Sequence, residues 1–165
     1  MLAARLIRVA ALSCLCAASG GCYYLQAVHG QYDLMQAREP IDSVVDAPTT
    51  PPELVHRLRL VEEARDFSIT QLGLPDNDSY RSYADIGRDY VVWNVFAAPE
   101  FSLEAKTWCF PVAGCVGYRG YFSEASARAE AAKLADRGYD VAVVGVAAYS
   151  TLGRFSDPVL NTMMR

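Results

Sequence analysis

The sequence predicts an α+β (or α/β) fold, with N-terminal helices packed on a small mixed sheet and a βαβ-like C-terminal unit that reads as incomplete. Three observations predict it. Apolar residues recur at helical spacing in two N-terminal stretches, 23–39 and 52–72. Two apolar runs, 90–97 and 139–148, read as strands. An alanine-rich helical stretch, 123–137, lies just before the second run, and strand, helix, strand at that spacing gives a parallel or mixed sheet with helices against it. At 165 residues the chain can bury one such core.

The first residues stand apart. Met1 to Arg8 holds Arg5 and Arg8 and no acid, Val9 to Ala18 is small and apolar, and Ser19-Gly20-Gly21-Cys22 follows. The apolar run is far short of the roughly 20 residues a spanning helix needs, so residues 1–21 read as a secretory signal peptide. The small residues ending in Cys22 resemble the bacterial lipobox, whose cysteine is lipidated and whose peptide is cut just before it. Each buried acyl methylene contributes ~0.8 kcal/mol, so two or three chains would hold the protein on a membrane surface. The expected place is the cell envelope, anchored to a bacterial membrane and facing the periplasm or exterior. Without Arg5 and Arg8 the chain keeps 13 basic against 19 acidic side chains, a net of about −6 with no basic cluster. That excludes a nucleic-acid partner, which would need a basic face.

Residues 22–50 read as a membrane-proximal helix and linker, and 51–165 as the domain. Apolar positions 24, 25, 28, 32 and 35 mark a helix from Tyr23 to Glu39, interrupted by Gly30 and stopped by Pro40. Ile41 to Ala47 adds a turn, and Pro48-Thr-Thr-Pro-Pro52 is a stiff linker. Thr50 is the expected cap of the long helix Pro52 to Leu72, whose stripe is Leu54, Leu58, Val61, Ala64, Phe67 and Leu72. Gly73 and Pro75 end it. In the strand Tyr90 to Ala97, Val91, Trp93 and Val95 face one way and Val92, Asn94 and Phe96 the other, which predicts a central strand. Asn94 there is either a satisfied core amide or part of a ligand wall.

The stretch Trp108 to Phe122 reads as strand, tight turn, strand, with Tyr118 and Phe122 on one face and Tyr121 on the other. Gly120 marks a bulge or a close backbone approach. Ser123 caps the alanine-rich helix and Gly138 ends it. The strand from Tyr139 leaves through the loop Tyr149 to Gly153, and Asp157-Pro158 offers a cap and first-turn proline for a further helix. Of the five cysteines, Cys14 and Cys16 leave with the signal peptide and Cys22 becomes the anchor. Cys109 and Cys115 remain as an even pair, most simply a disulfide in an oxidising compartment. Two buried free thiols are the alternative. A thiol-redox role is weakened by a spacing that is not C-x-x-C, and a metal role by the lack of ligand spacing to His29 or His56.

Several long stretches carry a family likeness: Cys22-Tyr-Tyr-Leu-Gln-Ala-Val-His-Gly-Gln31, Leu74-Pro-Asp-Asn-Asp-Ser-Tyr-Arg-Ser-Tyr-Ala-Asp85, Val91-Val-Trp-Asn-Val-Phe-Ala-Ala-Pro-Glu-Phe-Ser-Leu103, the whole of Trp108 to Phe122, Tyr149-Ser-Thr-Leu-Gly153 and Asp157-Pro-Val-Leu-Asn-Thr-Met163. They resemble the predicted zinc-dependent aminopeptidases found among bacterial lipoproteins. The resemblance implies a metallopeptidase-like domain of which 51–165 is the N-terminal part. It also implies zinc in full-length members, a peptide substrate for the complete protein, and a later H-E-x-x-H helix with two imidazoles on the metal and a glutamate activating its water. This sequence has two histidines, neither followed by glutamate, so no cofactor and no catalytic residue is expected in it. By the same resemblance, the hairpin Cys109 to Phe122 and the loop Tyr149 to Gly153 wall the substrate cleft, with Arg119, Tyr121, Tyr149, Ser150, Thr151 and Gly153 as its candidate residues. Arg119 would bind a substrate carboxylate or form a structural ion pair with Asp85 or Glu124. A non-catalytic envelope lipoprotein binding peptide or a partner protein is the alternative.

Overall fold

The computed structural model describes residues 21, 23–110, 114–151 and 153–164. Residues 1–20 of the expected signal peptide and the expected acylation site at Cys22 lie outside them, as do residues 111–113. Helix α1 covers 23–36 and leads into β1 (Arg38–Pro40), α2 (Ile41–Asp46) and α3 (Pro52–Thr70). Then come β2 (Ser82–Ala84), β3 (Val92–Pro99), β4 (Trp108–Phe110), β5 (Gly114–Val116) and β6 (Arg119–Tyr121). The chain continues through α4 (Glu124–Ala135), β7 (Tyr139–Val146), β8 (Val159–Leu160) and a 3-10 turn at Asn161–Met163. The fold is α+β. Among the described residues no helix is long and apolar enough to cross a membrane.

The main sheet has the order β6-β3-β7, and both outer strands run antiparallel to β3. β6 and β7 are therefore parallel to each other, with β3 between them and α4 bridging them across one face. The expected strand-helix-strand unit is present, but its strands pair with β3 and not with each other. Val95, Ala97 and Tyr121 pack beneath Ala127 and Leu134 of α4, with Trp93, Val141 and Val143 around them. As alternation predicts, Tyr118, Gly120 and Phe122 take the other face. Ser123 caps α4, its Oγ accepting from the Ser126 N–H at 3.4 Å, and Gly138 leaves it at φ 82°.

A second sheet, β1-β2-β8, is mixed: β1 and β2 are antiparallel, β2 and β8 parallel. It corrects two expectations. The stretch 23–39 is not helical throughout, because the chain leaves α1 after 36 and pairs Glu39 with Tyr83. Pro40 is tolerated because β1 is an edge strand. Nor does Asp157-Pro158 begin a helix: Val159 and Leu160 are buried beside Tyr83 and Ala84, and the gain from burying both favours strand.

Two corrections concern α3. Pro51 precedes it without a side-chain cap, and the Thr50 hydroxyl instead donates to the Val44 carbonyl at 2.6 Å, closing α2. Only the first half of the predicted stripe meets the core, where Leu58 is fully buried with Leu54 and Val61 beside Ile41, Tyr83 and Val159. Phe67 and Leu72 are 55% and 61% exposed.

α1 binds the two sheets together. Leu34 joins Ala84, Val91, Val92 and Leu160 in one core cluster. Gln26 pins the helix to β6, its Oε1 accepting from the Phe122 N–H at 3.1 Å and its Nε2 donating to the Gly120 carbonyl at 3.5 Å. Gly30, met in the sequence as an interruption, is where α1 lies against the Phe122 ring; a Cβ there would overlap that ring.

Candidate functional site

Among the described residues, the face of the main sheet turned away from α4 is covered only in part, by α1, which lies against Phe122. Val92 and Asn94 of β3, Gly120 of β6 and Val146 of β7 line a cavity there of about 580 Å3. The hairpin contributes Phe110 and Val116, α1 contributes Tyr23 and Ala27, and Tyr118, Phe122, Ala148, Tyr149 and Ser150 complete the wall. The hairpin stretch and the loop leaving β7, far apart in sequence, thus meet at one place. The walls are chiefly aromatic and aliphatic, as ligand cavities are.

Each wall is held for a physical reason. Cys109 and Cys115 are directly opposite each other in the hairpin and are joined as a disulfide. A two-stranded hairpin is marginal alone, so the disulfide holds β4 to β5, and the stacking of Phe110 on Tyr23, with centroids 5.6 Å apart, sets the pair against α1. The exit loop is organised by Asp157, which is 7% exposed. Its carboxylate accepts from the Thr151 N–H at 2.9 Å, the Thr151 hydroxyl at 2.7 Å and the Ser150 hydroxyl at 3.4 Å. Tyr149 stands edge-on to Phe122, centroids 5.9 Å apart, and its hydroxyl donates to Gln31 Oε1. Burial, reinforced by the charge of Asp157, raises its pKa above the usual tyrosine value.

The expected cleft residues divide. Tyr149 and Ser150 line the cavity. Thr151 stands behind them, bonded to Asp157, and Gly153 takes φ 76° in the following turn. Arg119 and Tyr121 belong to the opposite face of the sheet. The Arg119 guanidinium lies 4.0 Å from the Tyr23 ring centre, and its Nη1 is 3.1 Å from Glu130 of α4. The ion pair with Asp85 or Glu124 is thus corrected to one with Glu130, because Glu130 is on the turn of α4 that overlies β6. Tyr121 is 7% exposed, and burial pushes its hydroxyl up to about 12.

Tyr23, Ala27 and Val92 were not among the expected cavity residues. The alternation of β3 already put Val92 with Asn94, but nothing local said that this face would stay open. Tyr23 became part of the wall only through α1 crossing the sheet.

No carboxylate, imidazole or free thiol is among the described lining residues. The high pKa of Tyr149 and Tyr23 keeps their hydroxyls protonated near neutrality, so they donate hydrogen bonds and do not act as bases. The arrangement can hold a ligand and orient it. A zinc site does not fit the donors present. His29 is exposed and sits 3.4 Å from Asp33, His56 is on the exposed side of α3, and Cys109 and Cys115 are consumed by each other. Among the described residues no three such side chains converge as a metal site would require.

A family model described as "Putative aminopeptidase" matches residues 22–165. Neither the curated proteins nor the solved structures include a match to the chain.

Proposed function

The chain belongs to that aminopeptidase family, and from this membership we propose that it forms the peptide-holding wall of a lipid-anchored zinc aminopeptidase. The observation that carries the reading is the convergence of the hairpin, β6 and the loop after β7 on one apolar cavity beside a rigid sheet. In that reading residues 1–21 are removed, Cys22 is acylated, and the domain works in the cell envelope. An extended peptide lies across the open face, with its side chains in the apolar walls and its backbone against the few polar groups.

Zinc would supply a bound water activated for attack on the peptide bond. The donors among the described residues do not fit the ion, so in this reading these residues hold the peptide and do not cleave it. The same misfit favours a second reading, a non-catalytic envelope lipoprotein that uses the cavity to bind peptide or a partner protein.

Metal analysis and a trimming assay on the purified chain test the division of labour. The expected results are no stoichiometric zinc and no release of amino-terminal residues from leucyl peptides. Stoichiometric zinc, or trimming that a chelator abolishes, would contradict it. Activity appearing in a longer polypeptide that includes these residues and an H-E-x-x-H helix separates the enzyme reading from the binding one.

A further inference from the structure

Asn94 is the one carboxamide among the described residues of the cavity wall. It lies midway along β3, opposite Gly120 on one side and Val144 on the other. A carboxamide offers two donor hydrogens and an acceptor oxygen, and Asn94, half-buried in this wall, keeps them open to whatever enters the cavity. Among the described residues no protein group bonds this side chain, although β3 is the best-braced strand of the sheet. Gly120 adds to the point. A Cβ at that position would lie 3.2 Å from Asn94 Oδ1, so the missing side chain keeps the space beside the amide clear. The next polar groups of the wall differ: the Ser150 hydroxyl is turned to Asp157 and the Tyr149 hydroxyl to Gln31.

We propose that Asn94 is the specificity-determining anchor of this cavity, engaging a backbone amide of an extended peptide. Its Oδ1 accepts from the peptide N–H and its Nδ2 donates to a peptide carbonyl. A carboxamide presents the donor and acceptor of a peptide bond in complementary order, which an aliphatic or ester ligand cannot match. Gly120 is a positioning residue, since it sets the room in which the amide turns. The inference rests on the cavity being a peptide site, and it adds which group reads the backbone.

The test is calorimetric titration of the chain with Leu-Ala-Leu amide and with its depsipeptide analogue, in which the central N–H is replaced by oxygen. The wild-type chain is expected to prefer the peptide by about tenfold, the size of one well-formed hydrogen bond. N94L, which keeps the branching of the side chain and removes its polar atoms, is expected to bind the peptide about tenfold more weakly and to lose the preference. Its melting temperature should be unchanged or higher, because an unpaired amide is replaced by an apolar group; if N94L does not melt cooperatively, N94A serves instead. G120A should weaken the preference without abolishing binding. Wild-type affinity or wild-type preference in N94L or N94A overturns the role of Asn94 while leaving the peptide site standing. A wild-type chain that binds neither ligand overturns both.

Discussion

Arg119 shows how an arginine that looks like a substrate clamp becomes a structural member. It lies over the Tyr23 ring and pairs with Glu130, and the two charged side chains are only 23% and 18% exposed. Removing one partner leaves the other poorly solvated and unpaired, so Arg119→Ala is expected to lower stability by roughly 2–3 kcal/mol. Urea denaturation measures it, and a loss of peptide affinity at unchanged stability would instead return Arg119 to the cleft. Tyr121, next to this pair, carries a pH signature. An unfolded tyrosine ionises near 10, whereas burial holds the folded hydroxyl to about 12. The folded state keeps the proton longer, so this contribution is intact below about pH 10 and is lost as the pH rises through about 12. Alkaline titration followed by tyrosinate absorbance and by denaturation midpoint should show that order. The sequence made the facing of Tyr118 and Tyr121 legible through period-two alternation. It did not make the partner of Arg119 legible, because Glu124 and Glu130 lie on one helix and only the docking of α4 decides between them.

Elements whose pattern is long and self-consistent were legible. β3 is an apolar run of eight residues, and α4 has a serine cap, an alanine-rich body and a terminal glycine. β1 and β8, at 3 and 2 residues, are too short to carry a period, and each is a strand only because β2 lies beside it. The stripe of α3 misled for the opposite reason. Its apolar residues continue to Phe67 and, past the end of the helix, Leu72, yet among the described residues these two stay 55% and 61% exposed. α1 carries the sharpest prediction at this scale. Gly30→Ala places a methyl against the Phe122 ring where α1 crosses the sheet, and overpacking of this kind costs about 1–3 kcal/mol. A lowered thermal midpoint checks this. An unchanged midpoint would mean that α1 is not seated on Phe122.

At the scale of the whole molecule, two small sheets are joined through α1, and the part of the larger sheet's face opposite α4 that α1 leaves uncovered forms the cavity. Residues 23–46 are therefore part of the packing: Leu34 and Ile41 are 3% and 2% exposed. The meeting of hairpin and exit loop was expected from a family resemblance, whereas the open sheet face is a tertiary fact, visible only once the position of α4 is known. Hydrogen exchange with and without saturating Leu-Ala-Leu amide tests the central claim directly. Protection should appear in β4–β5, at Tyr118 to Phe122 and from Val146 to Ser150, and not in α4 or α3. Protection confined to the helices, or no change anywhere, would contradict a peptide site on this face.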